Sequence, residues 1–432
     1  MPDAAPAVRP RDRSRAYDIV LWGATGFTGR LVAEHLVRHP GDVPLRIALA
    51  GRSRDKLEAL RTELAAIDPA AADLPLELAD SFDKQALDAL AAKAEVICTT
   101  VGPYLEYGAA LVDACVQHGT DYCDLTGEVP FIRQMIDAHH EQAQRSGSRI
   151  VCCCGFDSIP SDLGTLMMQQ AMHEQHGVSA RDVKLAVTAS RGGFSGGTVA
   201  SMIEMVERMR KDQSLRRLMA NPYALDPSDE KPGPDSPDQK GVRFDDDLDR
   251  WTAPFVMAAV NTRVVRRSNA LLGYDYGRDF RYQEFMAFRR GAKGLGSAWS
   301  VAGGLVGFLG AVTIKPTRKL LQRFVLPAPG EGPSLEQREA GLFRMRLFAR
   351  GSGSNGEDVV LRGRVEGNKD PGYGGTAIML GESARCLALD GATLDSPGGI
   401  STPAAAMGST LIERLRGAGM VFSVDDPKPA SA

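Results

Sequence analysis

The run Ile19-Val20-Leu21-Trp22 feeds straight into Gly23-Ala24-Thr25-Gly26-Phe27-Thr28-Gly29, three glycines spaced by three. The amphipathic stretch Leu31-Val32-Ala33-Glu34-His35-Leu36-Val37 follows. Strand, tight glycine turn and helix in that order build the corner of a dinucleotide-binding fold that grips a pyrophosphate. The phosphate must approach backbone N–H groups at a helix N-terminus, and a Cβ in the turn would block the approach. The spacing therefore predicts Gly23, Thr25, Gly26, Phe27, Thr28 and Gly29 as cofactor-binding residues.

The next apolar run, Leu45 to Ala50, ends at Gly51-Arg52-Ser53. A carboxylate at this strand end holds the ribose 2′-hydroxyl of NAD. Here Gly51 takes its place, and Arg52 is suited to pair with a 2′-phosphate through two parallel hydrogen bonds. Arg52 and Ser53 therefore point to NADP(H); the alternative for Arg52 is that it opens the next helix on a solvated face. The alternation then continues. Helix Arg54 to Ala66, strand Pro75 to Leu78, helix Asp83 to Ala92 and strand Glu95 to Val101 are expected, followed by helix Gly108 to Gln117, strand Asp121 to Leu125, helix Phe131 to Arg145 and strand Ile150 to Cys154. Asp80 is placed either at the adenine edge or as a helix N-cap. This is an α/β pattern, a doubly wound parallel sheet of Rossmann type. Ligands of such sheets sit at the carboxyl ends of the strands, which brings in Gly102, Pro103 and Tyr104, and the stretch Gly155-Phe156-Asp157-Ser158.

The 432 residues are 43% hydrophobic and 24% charged, enough for two domains. A net charge of −3 gives no basis for nucleic-acid binding. The seven cysteines form no CxxC, and the histidines show no metal-ligand spacing, so no metal is expected and the chain reads as reduced and cytoplasmic. Residues 1–15 are Ala/Pro/Arg-rich without an apolar segment and read as a disordered arm. The Pro- and acid-rich stretch 226–249 reads as an exposed loop, and 424–432 as a polar tail.

Later stretches extend the pattern: Ala50-Gly51-Arg52, Val101-Gly102-Pro103-Tyr104, Tyr122-Cys123-Asp124-Leu125-Thr126-Gly127-Glu128, Cys154-Gly155-Phe156-Asp157-Ser158-Ile159-Pro160-Ser161-Asp162, Gly196-Gly197-Thr198, Arg266-Arg267-Ser268-Asn269 and Gly398-Gly399-Ile400-Ser401-Thr402-Pro403. With the glycine turn, they make the chain resemble the saccharopine-dehydrogenase-like oxidoreductases, and among them the trans-acting enoyl reductase branch, from residue 17 to about residue 423. The resemblance implies an NADP-binding domain over 16–165 and an α+β substrate domain with a mixed sheet over 166–395. It also implies a C-terminal helix within 396–423 that packs back on the first domain. It implies an acyl or lipid substrate of (glyco)lipid synthesis, one that a carrier protein is able to present, and leaves room for a homodimer. A reductase of imine or amino-acid adducts, or a non-catalytic NADP-binding scaffold, are the alternatives.

Strand-like runs at Val183 to Thr188, Phe343 to Ala349, Asp358 to Glu366 and Thr376 to Leu380 suggest the mixed sheet. The turn Arg191 to Thr198 opens a helix, Val199 to Met209, and offers N–H groups and hydroxyls to an anion or carbonyl. No tyrosine has Lys four positions on, so the Tyr/Lys relay of short-chain reductases is missing. An enoyl reduction needs a donor for the enolate oxygen. Tyr104, Ser158 and Thr198 are the catalytic candidates, with Tyr276 and Tyr282 behind them; each is also a plausible packing or capping residue. Gly294 to Ile314 carries no charge, with Arg289, Arg290 and Lys293 before it and Lys315, Arg318 and Lys319 after it. It reads as a buried or substrate-lining segment, or as a peripheral membrane contact; six glycines make it a poor span.

Overall fold

The computed structural model describes residues 14–192, 196–227, 233–235, 237–314, 316–317, 332–353 and 355–425, with the side chains of 196–202 outside that description. The chain forms two compact units, the first comprising 1–156, 329–332 and 372–418, the second 157–328, 333–371 and 419–432.

In chain order the strands are β1 (Tyr17–Trp22), β2 (Ile47–Gly51), β3 (Leu76–Leu78), β4 (Ala94–Thr99), β5 (Asp121–Cys123), β6 (Arg149–Val151) and β7 (Asp182–Arg191). They continue with β8 (Arg243–Asp245), β9 (Arg250–Pro254), β10 (Arg281–Arg289), β11 (Leu342–Ser352), β12 (Asp358–Gly367), β13 (Gly399–Ser401) and β14 (Val421–Val424).

The first unit holds a parallel sheet of order β13-β6-β5-β4-β1-β2-β3. Its central strands are apolar without alternation, because a parallel sheet is covered on both faces. Ile19, Val20, Leu21, Val96 and Ile97 are all buried. The order reverses between β1 and β4, the switch point where such sheets bind ligands. The doubly wound expectation holds, with β13 as a seventh strand beside β6. The helix Pro403–Gly417 belongs to this unit.

The second unit holds a mixed sheet of order β14-β12-β11-β7-β10-β9-β8, in which only β7 and β10 run parallel. Along β10 the alternate residues Tyr282, Glu284, Met286 and Phe288 share one face. The first two meet the helices Ile159–His176 and Ala258–Leu271, and the last two meet the helix Ala292–Thr313.

Several expectations need correction. Thr376 to Leu380 is not a strand but the start of the helix Thr376–Asp390. Twelve of its fifteen residues are buried, packed against Phe27–Arg38, Pro403–Gly417 and the sheet, so no amphipathic period marks it. It lies in the first unit, so the stretch 372–395 moves there, and the first boundary falls at 156/157 rather than 165/166. The stretch 226–249 is not wholly an exposed loop. Asp226 is buried, Asp235 is 1% exposed against Arg266, and 243–245 form β8; residues 228–232 and 236 lie outside the description. Of the expected arm, residues 1–13 lie outside the description, while Arg15 is anchored on Thr120 Oγ1 at 2.5 Å. Residues 426–432 of the expected tail also lie outside it.

Candidate cofactor site

The glycine turn is locked at both ends. Gly23 has φ +83°, and a Cβ there would stand 2.6 Å from Val101 Cγ2, so only glycine fits. Its carbonyl accepts from Gly26 N at 3.0 Å and from Thr100 Oγ1 at 3.1 Å, which ties the turn to the end of β4. A Cβ on Gly29 would lie 2.2 Å from that same carbonyl oxygen; this glycine lets the helix press on the turn. A Cβ on Gly26 would meet only Gly23 O, at 3.3 Å, and Gly26 is exposed. Gly23 thus shapes the turn and Gly29 the helix packing, while Gly26 leaves the outer side of the turn open.

Helix Phe27–Arg38 starts with no side-chain cap and no acid in its first turn. Its first N–H groups are left to an anion and the dipole favours one. The hydroxyls of Thr25 and Thr28 are half-buried and have no hydrogen-bond partner among the described residues. The ring of Phe27 packs edge-on against Tyr373 at 4.7 Å, which fixes the helix start.

At the end of β2, Gly51 is buried and carries no acid, and Arg52 is exposed with no hydrogen bond or ion pair among the described residues. Ser53 occupies the N-cap of Arg54–Ala65 without using its hydroxyl as a cap. Arg54, by contrast, approaches Glu58 at 3.9 Å. Asp80 is exposed at the end of β3 and accepts from Phe82 N at 3.0 Å, an Asx turn; the helix N-cap is Asp83 instead. Gly102 and Pro103 follow β4 through a cis peptide bond.

A family model for the saccharopine dehydrogenase NADP-binding domain matches residues 19–151. Over 94% of its length the chain is 42% identical to a protein of Mycobacterium tuberculosis (strain H37Rv) named trans-acting enoyl reductase, covering 97% of that protein. The chain belongs to the trans-acting enoyl reductases. A further M. tuberculosis protein, provisionally given that name, is 45% identical over 94% of the chain and 97% of its own length. A Mycobacterium ulcerans relative is 41% identical over 95% and 98%. Saccharopine dehydrogenase (L-Glu forming) from Saccharomyces cerevisiae shares the fold, with a TM-score of 0.52 at 11% identity, over 95% of this chain and 99% of that one. This reductase is therefore an NADP-dependent oxidoreductase, and the residues just described fit the cofactor: a cradle clear of Cβ atoms for the pyrophosphate and an unspent guanidinium for the 2′-phosphate.

The catalytic candidates do not converge. Tyr104 is buried, its ring tilted on Phe131. Its hydroxyl donates to Thr99 O and accepts from Leu125 N, each at 3.4 Å, and burial first of all pushes its pKa well above 10. Ser158 is fully buried and donates to Asn261 Oδ1 at 3.0 Å, so its hydroxyl neither caps the helix after it nor meets solvent. Thr198 stands in the helix Gly196–Lys211, but its side chain, like residues 193–195 of the expected turn, lies outside the described structure. Tyr276 is buried with its hydroxyl unpaired among the described residues; Tyr282 donates to Glu284 Oε2 at 2.9 Å. Asp157 is half-buried, has no partner among the described residues, and desolvation raises its carboxyl to about 6.

The residues that the motif missed are the supports. Glu128 accepts from Tyr104 N at 3.0 Å and Leu105 N at 2.9 Å, holding the loop after β4. Asp124, fully buried, accepts from Tyr122 OH, Thr126 N and Cys153 N at 2.8, 3.1 and 3.0 Å. Desolvation nevertheless raises its carboxyl to about 7. It ties the end of β5 to Cys153, which has φ +64°. The only hint in the sequence was the Asp-x-Thr-x-Glu spacing after a strand, a pattern that fits local turns as well. Among the described residues no His, Cys, Asp or Glu group is arranged to hold a metal ion.

Proposed function

We propose that this reductase saturates the carbon–carbon double bond of an α,β-unsaturated acyl intermediate in lipid or glycolipid synthesis, with the acyl chain presented by a carrier protein. The observation that carries this reading is the 41–45% identity, over nearly the whole chain, to proteins named trans-acting enoyl reductases. NADPH, when bound, supplies the hydride. The protein's part begins with Phe27 and Thr28, whose N–H groups hold the pyrophosphate. Arg52 holds the 2′-phosphate, and Thr100 keeps the turn in register with β4.

A reductase of amino-acid adducts needs cationic clamps for substrate carboxylates, and Arg266-Arg267 is the pair the sequence offers. Both are buried and committed elsewhere. Arg266 pairs with Asp235 at 2.6 Å and donates to Pro222 O and Tyr282 O, while Arg267 donates to Leu225 O. They strap Pro222, Leu225 and Asp235 to the helix Ala258–Leu271, which favours the acyl reading.

The test is NADPH oxidation against trans-2-enoyl, 3-ketoacyl and imine substrates, each as a small thioester or amine adduct and as a carrier-bound form where one exists. Turnover of enoyl substrates alone is expected. Imine turnover would move the reading to the amino-acid branch, and tight NADPH binding with no turnover of any substrate would favour the scaffold.

A further inference from the structure

The helix Ala292–Thr313 has two unlike faces. Gly294, Ala298, Ala302 and Val312 form a buried stripe. Ala298 and Ala302 pack on Trp251, Ala253, Met286 and Phe288, and Val312 and Phe308 pack on Ile203. One flank beside this stripe is open: Trp299 is 59% exposed, Val306 67%, Leu309 38%, and Ile314, just past the end, 55%. Gly303, Gly304, Gly307 and Gly310 lie beside them with no atom near the position of a Cβ. Water-facing apolar surface of this extent, continuous along one helix, marks an interaction site.

Charge says what kind. No Asp or Glu occurs between Glu284 and Glu331, whereas Arg289, Arg290, Lys293, Lys315, Arg318, Lys319 and Arg323 do, in a chain of net charge −3. Arg289 and Lys293 are exposed beside the helix start and meet no acid among the described residues; Arg290 pairs with Asp249 at 3.0 Å. An apolar helix face bordered by cations is the composition of a helix that lies in a membrane interface. The helix is long and apolar enough to cross a membrane, but its buried stripe is committed to β9, β10 and Ile203. Its last turn is also held, by Arg210 donating to Thr313 O at 2.7 Å.

We propose that the face carrying Trp299, Val306, Leu309 and Ile314 is the seat for an anionic lipid bilayer, with the apolar side chains entering the headgroup–acyl boundary and Arg289 and Lys293 facing lipid phosphates. The proposal does not depend on which double bond is reduced, and its test needs no turnover. The full chain is sedimented with vesicles of phosphatidylglycerol and phosphatidylcholine, and with phosphatidylcholine alone, at low and high salt. Binding to the anionic vesicles, weakened by salt, is expected, with a blue shift of Trp299 emission. Trp299→Ser/Val306→Ser/Leu309→Ser should weaken vesicle binding at least about tenfold while leaving NADPH affinity unchanged. Val306→Asp, at the most exposed of these positions, repeats the test if the triple variant does not fold. The proposal is overturned if the wild type ignores anionic vesicles at low salt or if the variants bind as it does. It is equally overturned if the vesicle-free protein is a dimer that the variants dissociate, since the face then belongs to a second copy.

Discussion

The proposed hold on the 2′-phosphate rests on one side chain, Arg52. Its guanidinium is exposed, unspent and set where β2 ends. Arg52→Ala should weaken NADPH by roughly 1.5–3 kcal/mol, the worth of a charge-assisted contact, and leave NADH nearly unchanged; cofactor fluorescence titration measures both. Equal loss for the two cofactors would make Arg52 a structural residue. The glycines separate in the same way. Gly26→Val places its branch in open space over the turn, so the variant should fold, by circular dichroism, and fail to bind NADPH. Gly29→Ala drives a methyl to 2.2 Å from Gly23 O. It should lower stability by about 1–3 kcal/mol through overpacking, visible as an earlier urea midpoint. If Gly29→Ala instead unfolds at the wild-type midpoint, the packing role assigned to that glycine is wrong. Both glycines were legible from spacing alone, because the strand–turn–helix corner has a fixed glycine pattern. Their division of labour was not, because it depends on the position of one carbonyl oxygen.

Among the elements, the helix Ala292–Thr313 shows how far a pattern reaches. The charge-free run and its basic borders were plain in the sequence, but which side faces inward was not: with six glycines, the apolar side chains define no clear stripe. Leu305, Phe308 and Leu309 look equivalent there. In the structure Phe308 packs on the Ile203 cluster, whereas Leu309 and Val306 face out. Phe308→Ala is therefore expected to cost about 1–3 kcal/mol, and Val306→Ser to stay within about 0.5 kcal/mol; comparing their urea midpoints checks the orientation. The loop after β4 makes the complementary case. Glu128→Ala leaves the N–H groups of buried Tyr104 and part-buried Leu105 without their carboxylate, at about 1–3 kcal/mol for the buried one. Because that loop carries Gly102 and Pro103, NADPH affinity should fall with it, whereas Glu128→Gln, which keeps one acceptor oxygen, should recover part of both.

For the molecule as a whole, each unit buries a carboxyl that prefers its proton. Asp124 in the first and Glu284 in the second are both raised by desolvation to about 7. Glu284 sits among Ser161, Asn261 and Tyr282, which donate to it at 2.8–2.9 Å. An acid whose folded pKa lies above its unfolded value holds an extra proton in the native state between the two. Its contribution to stability is complete below the unfolded pKa and is lost as pH rises towards 7. Folding stability measured by urea titration should thus decline between about pH 4.5 and 7 on account of these two groups. Asp124→Asn and Glu284→Gln should each flatten the decline while lowering stability at the acid end. An unchanged slope in both variants would mean that the carboxyls are ionised throughout.

The glycine turn, the missing acid at Gly51 and the alternation of strands and helices to Cys154 were decided by local chemistry, whereas the place of β13 as a seventh strand beside β6 was not. Backbone approach to phosphate and a sheet covered on both faces restrict residue types wherever they occur, so the sequence alone carries them. Tertiary structure alone decided the rest. Thr376–Asp390 is a helix because it is enclosed on every side by Phe27–Arg38, Pro403–Gly417 and the sheet, and an element buried all round shows no period. Arg266 and Arg267 are straps and not clamps because the carbonyls of Pro222 and Leu225, more than forty residues earlier in the chain, come to meet them. Ser158 is spent because Asn261 faces it across the same unit. A side chain's type states what it is able to bind; which partner reaches it first is settled by residues distant in sequence, through the packing that brings them together.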